Sequence, residues 1–179
     1  MREGILFCTD PFISSELANP ERLQELRLIF ETPPLYGSDI DWKTYAAYEA
    51  EATLYVYLSS LPEPLIHREF AERLWRFLSK YSHSEVQVFR DVLATLQKSR
   101  HHLVTFLLVV FARWVSKKSP IVLLADPQTV IMQIARRYHR VFSSLEHGAD
   151  TVDHEIQLLA FMIENGDRLE EYETKWRIQ

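Results

Sequence analysis

With 179 residues and 21.1 kDa the chain is long enough for one compact domain with a sizeable core, and its 47% apolar and 25% charged residues exclude a disordered polymer. Lys and Arg number 20 against 25 Asp and Glu, so the net charge of -5 provides no chain-wide positive field for nucleic acid. The 4 glycines never approach the spacing of a phosphate-cradling loop, and the single cysteine, Cys8, excludes an internal disulfide and fits a reducing compartment.

The hydrophobic pattern is helical almost throughout. Asn19 can cap a helix whose first residue is Pro20, where the missing N–H costs nothing. Leu23, Leu26, Ile29 and Phe30 then share a face until Pro33-Pro34 stops it. A loop through Tyr36-Gly37-Ser38 leads to a long helix expected from Asp41 to Ser60, with Tyr45, Tyr48, Ala52, Tyr55 and Leu58 in one stripe. Leu61-Pro62-Glu63-Pro64-Leu65 must break it, because each proline disfavours the α region for its predecessor.

A third helix is expected from Arg68 to Tyr81, burying Phe70, Leu74, Phe77 and Leu78. A fourth, capped by Ser84, carries Val88, Phe89, Val92 and Leu96. The fifth, from Arg100 to Ser116, is so apolar (Leu103, Phe106, Leu107, Val110, Phe111, Trp114) that it should lie at the centre of the core. Asp126-Pro127 opens a sixth with Val130, Ile131, Ile134, Ala135, Tyr138, Val141 and Phe142. The seventh begins near Thr151 and carries Ile156, Leu159, Phe161, Met162 and Ile163. Asn165-Gly166 has the form of a C-cap, although helix-compatible residues continue to Glu173. The one competing strand is Ile121 to Leu124. The expected architecture is a single all-α domain, residues 1–179, of about seven helices.

No targeting or spanning segment is expected. The chain start lacks a signal-peptide core and cleavage site, and Leu103 to Val115 is too short for a bilayer, which reads as a soluble, cytoplasmic protein.

No catalytic constellation emerges. His101 and His102 are adjacent and point about 100° apart on a helix, so they cannot chelate together. Cys8 has no evident base to activate it. Glu49 with Glu51, and Glu170 with Glu171, read as solvated helix faces, and no metal or cofactor is expected. The densest basic cluster is Arg136, Arg137, His139 and Arg140. Within it Arg136 and Arg140 share a face that could meet an acidic partner or the phosphates of an anionic membrane.

At the proline turn the sequence meets a family. Ala52 to Ile66, ending in Leu61-Pro62-Glu63-Pro64-Leu65, resembles the second long helix and L-P-x-P-L turn of RhoGAP domains. Glu3-Gly4-Ile5-Leu6-Phe7 resembles that family's E-G-I-F-R-x-S-G loop, Leu23-Gln24-Glu25-Leu26 its K-E-L helix, and Leu158 to Asp167 its closing helix. The family's first helix, upstream of the loop, has no counterpart in this chain. The resemblance implies an all-α RhoGAP-like domain and a Rho-family small GTPase as partner.

RhoGAP domains insert an arginine from that loop into the GTPase active site, an effect worth roughly 10³–10⁵ in rate. Here the arginine position falls on Phe7, or on Cys8 if the loop is shifted by one. The family's lysine and arginine before the turn become Tyr55 and Ser59. Its L-P-x-x-N helix start reads Leu96 to Arg100. Its GTPase-contacting asparagine has no equivalent, since Asn19 and Asn165 are the only asparagines. A kept scaffold with lost polar groups implies a domain that binds a GTPase or adaptor peptide without stimulating hydrolysis. It resembles in this the silent RhoGAP-like domains of type II inositol polyphosphate 5-phosphatases, also through Arg100 to Leu107. Two alternatives stand beside it: an active GTPase activator using Arg2 or Arg100, and an anionic-lipid module using Arg136 and Arg140.

Overall fold

The computed structural model describes residues 18–80, 86–116, 126–145, 151–166 and 168. Seven α-helices account for most of them, and among the described residues no strand forms, only one isolated parallel bridge between Ile66 and Ser143. The all-α expectation therefore holds. The chain divides into two compact units between Ser60 and Leu61.

In the first unit α1 spans Pro20–Glu31. The Asn19 side chain accepts a hydrogen bond from the Glu21 N–H at 2.9 Å, and Pro20 occupies the first turn, as the sequence requires. The expected helix from Asp41 to Ser60 is interrupted. A 3₁₀ turn covers Trp42–Thr44, Tyr45 is extended, and α2 begins only at Ala47 and runs to Ser59. The cause is a competition of caps: the Asp41 carboxylate takes the Lys43 N–H at 3.1 Å, and the Glu49 carboxylate takes the Ala46 N–H at 2.8 Å. Glu49 is therefore not on a solvated face as expected. It is 3% exposed, with Arg22 Nε 2.9 Å from its other oxygen, and Glu51 is buried as well. Of the four α1 residues expected to share a buried face, Leu26 is buried, Leu23 and Ile29 are half-buried, and Phe30 is exposed.

The second unit holds α3 (Arg68–Lys80), α4 (Val86–Ala94), α5 (Lys98–Val115), α6 (Pro127–Phe142) and α7 (Thr151–Glu164). Ser84, Tyr81, the Ile121–Leu124 strand and the continuation toward Glu173 lie outside the described residues. Aromatic packing centres on Phe111, whose ring lies 4.9 Å from Tyr138 and 5.9 Å from Phe142. The α7 C-terminus runs close along α5. A Cβ built on Gly166 would stand 2.6 Å from the Leu108 carbonyl oxygen, so glycine alone permits the approach.

One core expectation on α5 fails. Phe106 is 63% exposed. Val104, Leu107, Leu108, Phe111 and Ala112 take the buried side. At about 100° per residue, Phe106 falls with Ser99, His102 and Arg113 in the one wedge left to solvent.

His139 also departs from expectation. It does not belong to the surface basic cluster but is 8% exposed, its Nδ1 2.8 Å from Glu155 Oε2 across α6 and α7. The other Glu155 oxygen accepts the Leu145 N–H at 2.8 Å. One buried carboxylate thus satisfies an imidazole and the chain that leaves α6.

Candidate functional site

The proline turn begins the second unit and is anchored within it. The Leu65 N–H donates to Val141 O at 2.9 Å and the Ile66 N–H to Phe142 O at 2.8 Å, while Leu65 and Ile66 are fully buried. Leu61 and Pro64 are half-buried and Pro62 is exposed, so the motif is anchored at its C-terminal end. Arg100, near the start of α5, closes it: Nη1 donates to the Pro64 carbonyl at 2.9 Å and Nη2 to Glu63 Oε2 at 2.7 Å. Its guanidinium is committed to holding the turn, a role the sequence did not suggest.

In the first unit α2 presents the positions aligned with the family's basic residues. Tyr55 is half-buried and Ser59 exposed, and between them Val56 and Tyr57 stand out in solvent. Sequence reasoning passed over those two, although their offset from the buried Ala52 and Leu58 was readable at helical spacing. No Lys or Arg occurs anywhere in α2.

A second exposed surface of this unit lies at the end of α1. The Trp42 ring stands 6.1 Å from Phe30 and 6.2 Å from Tyr45. The Tyr45 hydroxyl donates to Glu25 at 3.1 Å, and the Arg22 guanidinium sits 4.7 Å above the Tyr45 ring and also donates to the Thr44 carbonyl. Desolvation first, and then the bond to Glu25, raise the Tyr45 phenol above its usual 10.0.

Arg136 and Arg140 are both exposed on α6, one turn apart, on a helix without acidic residues, whereas Arg137 is half-buried and engaged. Phe7, Cys8 and Arg2 lie outside the described residues. A surface pocket of about 250 Å³ is lined by Glu72, Trp75, Arg76, Leu145, Thr151 and His154. Its groups are already occupied: Glu72 accepts from Arg68, and the His154 ring stacks on Trp75 at 4.2 Å. Among the described residues no group of His, Cys, Asp or Glu is placed to hold a metal ion, and no helix is long and apolar enough to cross a membrane.

The family model of the RhoGAP domain matches residues 16–125. Rho-GTPase-activating protein 5 of Schizosaccharomyces pombe is 25% identical over 129 residues, which is 69% of this chain and 36% of that protein, so the chain spans about a third of the relative's length. Among solved structures, the BH domain of GRAF, the GTPase regulator associated with focal adhesion kinase, superposes with a TM-score of 0.64 at 16% identity, covering 85% of this chain and 79% of that one.

Proposed function

Because the chain belongs to the RhoGAP family, whose members activate GTPases, we propose that it docks a Rho-family GTPase without accelerating GTP hydrolysis. The observation that carries this reading is the character of α2. The helix leading into the proline turn exposes Val56, Tyr57 and Ser59 and has no cation to offer a nucleotide-bound partner. The loop that should supply the arginine has Phe7 and Cys8 instead. Neither can neutralise charge on a transferring phosphoryl group, which removes about 4–7 kcal/mol of transition-state stabilisation. Arg100 would have to abandon two hydrogen bonds to the proline turn before it could serve as a substitute.

Exposed aromatic and branched side chains suit docking better than catalysis. The test is a binding titration of this chain against GTP-loaded and GDP-loaded Rho-family GTPases, with Val56→Asp and Tyr57→Ala as variants. Saturable binding that either variant weakens roughly tenfold supports the assignment, a loss in the range expected for a buried anchor. Unchanged binding by both removes α2 from the interface.

A second reading rests on Arg136 and Arg140, which form an exposed cationic pair able to meet lipid phosphates and bring a cytoplasmic domain to a membrane. Vesicles containing phosphatidylserine should then retain the chain and release the Arg136→Ala/Arg140→Ala variant. Equal retention of the two ends this reading.

A further inference from the structure

Among the described residues most exposed large apolar side chains lie in the first unit, which also carries a negative charge balance. Leu35 and Tyr36 are 52% and 59% exposed, and Trp42 is 46% exposed. Their segments are linked through one ring. Gly37, at φ +82, lies so close to Phe30 that a Cβ there would be 2.7 Å from its ring, and the same ring packs beside Trp42. The segment carrying Leu35 and Tyr36 is therefore fastened to the indole through Phe30. Tyr36 itself holds a positive φ of 43, a conformation uncommon for an aromatic residue, and it leaves the phenol ring in solvent.

The rim of this surface has a negative balance, Lys43 being the cation beside Trp42. Residues 18–60 contain seven carboxylates and three cations, whereas residues 61–179 contain fifteen and sixteen. Two of those three cations, Arg22 and Arg27, are already in ion pairs with Glu49 and Glu31. Asp39 and Asp41 flank the Trp42 segment, and Glu25 is held against it through Tyr45. Anionic lipid and nucleic acid are both repelled from such a rim, while an Arg or Lys is attracted to its carboxylates and to the indole face.

We propose that this surface is a docking site for a partner-protein segment that alternates basic residues with apolar anchors. The apolar side chains would cover Leu35, Tyr36 and the indole of Trp42. The cations would reach Asp39, Asp41 and Glu25. This assignment gives a chemistry to the peptide partner of a RhoGAP-fold interaction domain, and it stands whether or not a GTPase is bound on α2.

The experiment is fluorescence anisotropy on the intact chain at about 0.15 M salt, where long-range charge is screened beyond roughly 8 Å. The probe is a labelled synthetic peptide alternating Arg and Leu. One control replaces Arg by Glu, and another replaces Leu by Ser. The expected result is saturable binding of the Arg/Leu peptide alone, weakened roughly tenfold by Trp42→Ala. Because Trp42 also packs on Phe30 and Tyr45, Tyr36→Ser and Asp39→Asn/Asp41→Asn serve as variants outside that stack, each expected to weaken binding by about threefold or more. The proposal fails if the Arg/Leu peptide does not bind, if the Arg/Ser peptide binds equally well, or if all three variants bind as the parent does.

Discussion

The buried carboxylate of Glu155 offers the sharpest test of how the second unit holds together. Its two oxygens bind His139 Nδ1 and the Leu145 N–H, each at 2.8 Å, in a setting where both side chains are at most a tenth exposed. Glu155→Ala leaves the ring and the amide without partners. Each orphaned buried group costs about 1–3 kcal/mol. Glu155→Gln keeps an oxygen for the Leu145 N–H, and its amide can donate to Nδ1 when His139 carries its proton on Nε2. The glutamine variant should therefore lose only about 1 kcal/mol. Urea unfolding followed by circular dichroism at fixed pH measures the difference, provided the slope is unchanged. Amide exchange at Leu145 should also accelerate in the alanine variant beyond the glutamine one. An alanine variant within about 0.5 kcal/mol of the parent, or a glutamine variant no better than alanine, would refute the reasoning.

Gly166→Ala should destabilise by about 1–3 kcal/mol in the same unfolding assay, because its Cβ would force α7 away from the Leu108 carbonyl and the Ala112 side chain. Arg100→Lys keeps the charge but loses the two-pronged grip on Glu63 and the Pro64 carbonyl. A loss of about 1 kcal/mol is expected, with Arg100→Ala somewhat worse, and equality of Arg100→Lys with the parent would show that charge alone suffices. Phe106→Ser should change stability by no more than about 0.5 kcal/mol, since the ring it removes is already in water. A loss like that of a core phenylalanine would return Phe106 to the interior.

Much of this architecture is written in local signals. Asn19-Pro20 and Asp126-Pro127 start helices where the sequence says they must, because a side-chain cap and a missing N–H act within one turn. The stripe from Val130 to Phe142 is buried throughout, since its strict spacing leaves only one face for the core. The misreadings come where distant residues decide. Glu49 looks solvated until Arg22, 27 residues earlier, and the Ala46 N–H are brought to it. His139 reads as one more surface cation until Glu155 arrives from α7. On α5 every position from Leu103 to Ala112 except Thr105 is apolar, and the polar Ser99, His102 and Arg113 that mark the wedge holding Phe106 lie outside that run.

The candidate site divides in the same way. The proline turn was legible as a motif, but its clasp by Arg100 is a contact across 36 residues that no local pattern encodes. Val56 and Tyr57 lie between the two positions that match the family's basic residues, and no family motif marks them. That Tyr55 and Ser59 stand at those positions, and that α2 carries no cation, is itself a sequence fact.

Single-turnover GTP hydrolysis by a panel of Rho-family GTPases, with this chain at saturating concentration and binding followed in parallel, tests the central claim most directly. Phe7→Arg and Cys8→Arg variants belong in the same experiment. The account predicts binding by the parent with acceleration below roughly tenfold, and a gain in rate when an arginine is restored at one of those positions, toward the ~10³–10⁵ an arginine finger supplies. Acceleration by the unaltered chain well above that tenfold limit would mean that another arginine reaches the nucleotide, and would contradict it.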